Sequence, residues 1–140
     1  MKILVVDDEE AVVEFLRGAA KACGIKQVDT AASGEEALGQ VIHTHYDAIT
    51  VDIKLPGASG LEIVSILRNM CPHAVIAVIS GHVPQQIDGA VLEAIDALIC
   101  KPVRLNVVAA LFAEAAAIAA ARERLRAMSS FPIAAEEVRR

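Results

Sequence analysis

Apolar runs recur along this chain, and nearly every one stops on a different polar group. Lys2–Val6 stops on Asp7-Asp8, and Ala48–Asp52 ends on its own carboxylate. Ala74–Ile79 stops on Ser80-Gly81, and Ala97–Cys100 on Lys101-Pro102. Runs apolar on both faces belong to strands of a parallel sheet covered by helices. A further run, Lys26–Ala31, is more polar and reads as an edge strand. Helical periodicity fills the gaps. Glu9–Cys23 repeats Val12, Val13, Leu16, Ala19 and Ala20, carries acids in its first turn and stops at Gly24. Ser33 with Glu36 reads as a capping box for a helix to about His45, and Ser59 with Glu62 as one for a helix to about Met70. Pro84 suits the first position of a helix running to about Ile95, weakened at Gly89 by about 1 kcal/mol relative to Ala. A long Ala-rich helix follows from about Arg104 to Met128. Strand and helix alternate throughout, which predicts an α/β fold: a (βα)5 doubly wound parallel sheet of five strands with right-handed crossovers.

Composition sharpens this picture. At 140 residues the chain is one domain of common size, and 55% hydrophobic content with 3% aromatic and no Trp implies an aliphatic core. Residues 1–128 read as that domain, with 129–140 a tail or truncated linker. The net charge of -5 argues against direct nucleic-acid binding. Cys23, Cys71 and Cys100 form no CxxC pair and read as buried thiols in a reducing, cytoplasmic setting. The start MKILVVDDEE is not a signal peptide, because its apolar run is short and ends in acids. Leu105–Ala121 is the one membrane candidate, but Glu114 interrupts it and Ala substitutes poorly for Leu, so no span is expected.

The chemistry lies at the strand ends. In a parallel sheet, sites form at the carboxyl edge, so Asp7, Asp8, Asp52, Ser80 and Lys101 can converge. Three close carboxylates repel, and a hard divalent cation is the natural remedy; Mg²⁺ takes one or two carboxylates plus waters and phosphate oxygens. With a lysine for a phosphoryl oxygen and a hydroxyl donor, the set reads as a phosphoryl-transfer site with a carboxylate nucleophile.

These motifs resemble the receiver domains of two-component response regulators. The likeness covers nearly all of residues 2–115 and rests on ILVVDDE at the start, ASGEEAL at 32–38, VDIKLPGASGLE at 51–62, AVISG at 77–81 and KP at 101–102. It implies a flavodoxin-like strand order 2-1-3-4-5. It further implies Asp52 as phosphoacceptor, taking its phosphoryl group from a sensor histidine kinase or phosphotransfer protein. Mg²⁺ would be held by Asp52, Asp8 and the Lys54 backbone carbonyl, with Asp7 acting through water. Ser80 and Lys101 would close on the phosphoryl group, and Lys101-Pro102 would be cis. The chain departs from the family where an aromatic switch residue often stands three positions before the lysine, here Leu98. Lys54 and His82 flank the site with basic groups suited to tuning the phosphoryl lifetime, or are simply exposed loop residues.

Two other classes compete. A haloacid-dehalogenase-like phosphatase needs a second Asp two positions after its nucleophile, but Asp7 is followed by Asp8 and Glu9. A docking module that is never phosphorylated usually loses an acid or the lysine, and this chain keeps them. The last helix supplies an inner stripe of Leu105, Val108, Phe112 and Ala115. It also carries a second seam of Val107, Leu111, Ile118, Leu125 and Met128, suited to pairing with a second copy or a partner's helix.

Overall fold

The computed structural model describes residues 1–130. Its elements are β1 (Lys2–Val6), α1 (Glu10–Ala22), β2 (Gln27–Ala31), α2 (Gly34–His43), β3 (Ala48–Val51), α3 (Gly60–Met70), β4 (Val75–Ser80), α4 (Gly89–Ala94), β5 (Ala97–Cys100) and α5 (Leu105–Ala127). The five strands are all parallel, in the order β2-β1-β3-β4-β5. This is the expected doubly wound (βα)5 sheet with a long C-terminal helix.

Strand alternation divides the core between the two faces. Leu4, Val6, Ile49 and Ile76 pack against Val41 of α2, Leu67 of α3 and Ala94 of α4. Ile3, Val5 and Ile79 pack against Leu16 of α1 and Phe112 of α5. β1, β3 and β4 are buried almost throughout, as their unbroken apolar runs require. β2 alternates between exposed and covered positions, and so does β5 at the opposite edge.

Several expectations are corrected. The helix expected from Pro84 begins only at Gly89, because the Asp88 carboxylate caps it by accepting from the Ala90 N–H at 3.0 Å. The helix expected to reach His45 stops at His43. At Ser33 the capping box forms in altered shape: its Oγ accepts from the Glu36 N–H, while the Glu36 carboxylate reaches back to the Ala32 N–H. Ser59 caps α3 through the Leu61 N–H rather than in a box with Glu62. Leu105, expected on the inner stripe, is 54% exposed, since α5 begins there and the sheet is first met at Val108. The thiols are not buried: Cys23 lies at the exposed end of α1, Cys100 on the outward face of edge strand β5, and Cys71 is half-buried. Among the described residues one helix, α5, is long and apolar enough to cross a membrane by length and composition. Its Val108, Phe112 and Ala115 are committed to the core. Most of the expected tail, residues 131–140, lies outside the described residues.

Candidate functional site

The parallel register brings the polar strand ends together. The Asp7 N–H donates to the Ala31 carbonyl at 3.0 Å and the Asp52 N–H to the Val6 carbonyl at 2.9 Å, so both carboxylates sit one step beyond paired strands. Ser80 pairs with Cys100 in register, and the Lys101 N–H donates to the Ser80 carbonyl at 3.0 Å. Backbone ladders therefore fix the positions of Asp7, Asp52, Ser80 and Lys101. The Lys101-Pro102 peptide is cis, as expected.

The loop after β3 is shaped by two glycines. Gly57 adopts φ +75°, a conformation that a side chain would strain. A Cβ on Gly60 would lie 2.0 Å from the Asp52 carbonyl oxygen, so only glycine allows α3 to start against the strand end. The Gly60 N–H donates to the Ile53 carbonyl at 2.8 Å, and the Ser59 hydroxyl to the same carbonyl at 3.3 Å. Asp52 is thus held at the foot of a tightly docked helix.

Lys101 is the hub of the site. Its Nζ lies 3.0 Å from Asp7 Oδ2, 3.1 Å from Asp52 Oδ2 and 3.1 Å from Glu9 Oε1. The Lys101 side chain is 16% exposed, and those of Asp7 and Asp52 almost fully buried. Burial pulls the ammonium down, but the bonds to Asp7, Glu9 and Asp52 outweigh it and raise Lys101 well above the usual lysine value. Burial pushes Asp7 above the usual carboxylate value, against the opposing effects of the Glu9 amide and Lys101. One cation thus serves three carboxylates.

Asp7, Asp8 and Asp52 each offer an oxygen, all within 4.8 Å of one another. Asp8 is exposed, which leaves the cluster open to solvent on one side. The second Asp52 oxygen, Oδ1, is buried and has no hydrogen-bond partner among the described residues. A buried carboxylate oxygen without a donor is costly. The donor set is all oxygen, so a hard divalent cation such as Mg²⁺ fits the cluster and would satisfy that orphaned atom.

Ser80 is fully buried at the end of β4, and its Oγ accepts from the His82 N–H at 3.1 Å. Lys54 and His82 are exposed on the loops that follow Asp52 and Ser80. Leu98 projects outward from β5 at 37% exposure.

Two residues escaped the sequence reading. Glu9, whose place in the sequence suggests a first-turn acid, is the third partner of Lys101. Arg68, on α3, donates to the carbonyls of Ala94, Cys71, Pro72 and Ala74 and pairs with Asp96 at 2.8 Å. It ties α3 to the end of α4 and the start of β5. Acceptors that are backbone carbonyls leave no trace in side-chain spacing.

Comparison with known proteins bears on the family and the fold. A family model described as the response regulator receiver domain matches residues 3–113. A response regulator receiver protein of Anaeromyxobacter sp. (strain Fw109-5) is 35% identical over 107 residues, 73% of this chain and 43% of that protein. A protein-glutamate methylesterase/protein-glutamine glutaminase of Geobacter metallireducens is 37% identical over 99 residues, 69% of this chain and 28% of that protein. The chain therefore spans less than half the length of these curated relatives. Among solved structures, a Thermotoga maritima response regulator in complex with Mg²⁺-BeF aligns with a TM-score of 0.73 at 32% identity, covering 82% of this chain and 99% of that one.

Proposed function

The chain belongs to the response regulator receiver family, and from that premise we propose that Asp52 accepts a phosphoryl group from a phosphohistidine on a sensor kinase or phosphotransfer protein. The observation that carries this reading is the pair of Asp52 oxygens, one 3.1 Å from Lys101 Nζ and the other buried without a partner beside Asp7 and Asp8. An Asp52 oxygen attacks phosphorus, the P–N bond to the donor imidazole breaks, and an acyl phosphate remains. Lys101 neutralises charge on a phosphoryl oxygen, and the Ser80 hydroxyl turns from its His82 amide contact to donate to another. Asp8, Asp52 and the Lys54 backbone carbonyl, with Asp7 through water, would hold Mg²⁺, which would offset the negative charge on the phosphoryl oxygens. The Mg²⁺-BeF complex of the Thermotoga relative supports Mg²⁺ as the cation.

Residues 1–128 form the receiver, and their own chemistry is limited to gaining and losing the phosphoryl group. Lys54 and His82 border the path of the hydrolytic water and set the lifetime of the acyl phosphate. The output is a change of protein–protein contacts on the face made by α4 and β5. The phosphatase and methylesterase activities of other proteins are not assigned to it.

Intact mass after incubation with acetyl phosphate and Mg²⁺ tests the reading. One phosphoryl group should be gained, none by Asp52→Asn, and little by Asp8→Ala. Labelling that survives Asp52→Asn, or turnover of added phosphoesters, contradicts it.

A further inference from the structure

The amino ends of the strands, opposite Asp52, frame a second cleft of about 660 Å³. Lys2 opens β1, Gln27 opens β2, Asp47 precedes β3 and His73 precedes β4, so the floor is the start of the sheet. One wall is the far half of α5, where Ala116, Ala119 and Ala120 are small enough to leave the space open. The length of α5 beyond its buried stripe is thus put to use: the helix overhangs this cleft.

The charges lining the cleft are unevenly compensated. Glu123 is spent on Arg126, with which it pairs. The Asp47 carboxylate is occupied by the Lys2 backbone N–H at 2.8 Å and faces the His45 ring at 3.5 Å. Arg122 donates to the His73 carbonyl, a neutral acceptor. Neither the Arg122 guanidinium nor the Lys2 ammonium pairs with a carboxylate among the described residues. Surplus positive charge collects here in a chain of net charge -5. His43 and His73 line the same space. A metal is not the natural occupant: among the described residues only Asp7, Asp8 and Asp52 meet metal-ligand spacing.

We propose that this cleft binds a small phosphate-bearing anion of nucleoside monophosphate size. An arginine fork and a lysine are the side chains that recognise phosphate. The alanine wall offers a flat apolar surface for a ring, and the volume lies within the usual range of small-molecule sites, about 300–1,000 Å³. The site lies apart from the carboxylate cluster and stands whether or not Asp52 is the phosphoacceptor.

Calorimetric titration of the full chain with AMP, and with adenosine as the uncharged control, tests the proposal. AMP should bind saturably with a Kd of about 0.1–1 mM, and adenosine at least about tenfold more weakly. Amide NMR shifts on AMP addition should centre on Lys2, His73, Ala116 and Ala119. The double variant Lys2→Ala/Arg122→Ala should weaken AMP by about tenfold or more, as the loss of two charge-assisted contacts requires. Ala119→Glu, which keeps both cations but adds an anion to the wall, should do the same. Four results would each overturn the proposal: no saturation by about 10 mM AMP, equal binding of adenosine, shifts centred on Asp7 and Asp52, or full affinity in both variants.

Discussion

Lys101 Nζ stands 3.1 Å from Asp52 Oδ2 while the other oxygen of that carboxylate has no hydrogen-bond partner among the described residues. The lysine is shared with Asp7 and Glu9, so the negative charge of the buried cluster is only partly offset. Removing one partner of a buried ion pair leaves an uncompensated charge, which costs about 3–5 kcal/mol when burial is complete. Lys101 is not fully buried, so Lys101→Ala should lower stability by about 2 kcal/mol. Urea unfolding without metal should show this loss, and added Mg²⁺ should recover part of it by replacing the missing cation. A variant as stable as the parent in metal-free buffer would mean the cluster carries little strain.

Asp7 gives a prediction of opposite sign. Its folded value is raised above the ordinary carboxylate value, chiefly by burial. Such a group favours the fold most when protonated. Its contribution is fully present below the unfolded value near 4 and is lost as pH rises through the folded value. At neutral pH and without metal, Asp7→Asn should therefore raise the thermal midpoint, and the gain should shrink on acidification. The same variant should respond less to Mg²⁺ than the parent does. A lower midpoint for Asp7→Asn at pH 7 would show that the Asp7–Lys101 bond outweighs the cost of burial.

The sheet and the carboxylate edge were legible because their signals are local. An apolar run ending on Asp52 states both the strand and the site, and in a parallel sheet each strand end must share one edge. The helix at Pro84 was misread because proline marks a first turn only weakly, whereas Asp88 holds a side-chain cap bond. Arg68 and Glu9 were illegible for another reason. Asp96 stands 28 residues from Arg68 and Lys101 stands 92 from Glu9, and only the folded chain brings these pairs into reach. The exposure of Cys100 and Leu98 depends on β5 being an edge strand, a consequence of strand order rather than of composition.

Phosphorylation should loosen or re-order the region from Gly81 to Glu93. Ser80 is fully buried and gives up its His82 amide contact if it turns towards a phosphoryl oxygen. The chain between Ser80 and Gly89 has no helix to stiffen it, and α4 is only 6 residues long. Arg68 holds the far end of that segment through the Ala94 carbonyl, so the movement should stop there. Leu98 has no ring to swing inward, which limits the change on β5. Hydrogen exchange with and without beryllofluoride checks this: altered protection is expected over residues 81–93 and little over 97–100. Identical protection in both states would remove the switch from this segment.

The outer seam of α5 should join two copies of the chain. Val107 is 39% exposed, Ile118 40%, Leu125 64% and Met128 75%. Leu111 lies between them and the core, beside an apolar groove of about 350 Å³ formed with Ala97 and Ile99 of β5. A second copy is the occupant that the spacing favours. Leu111 and Leu125 stand seven residues either side of Ile118, so a two-fold axis at Ile118 lays each Leu111 against the partner's Leu125 in an antiparallel helix pair. An isologous contact needs that self-complementarity. Heptad spacing over two turns of seam is short, so association should be moderate, with a Kd of about 1–100 µM. Sedimentation velocity of the full chain should show a dimer at the upper end of that range. Ile118→Glu/Leu125→Glu should be monomeric at the same concentration with its fold intact, since neither side chain enters the core. A monomer for both chains removes the second copy as occupant of this seam.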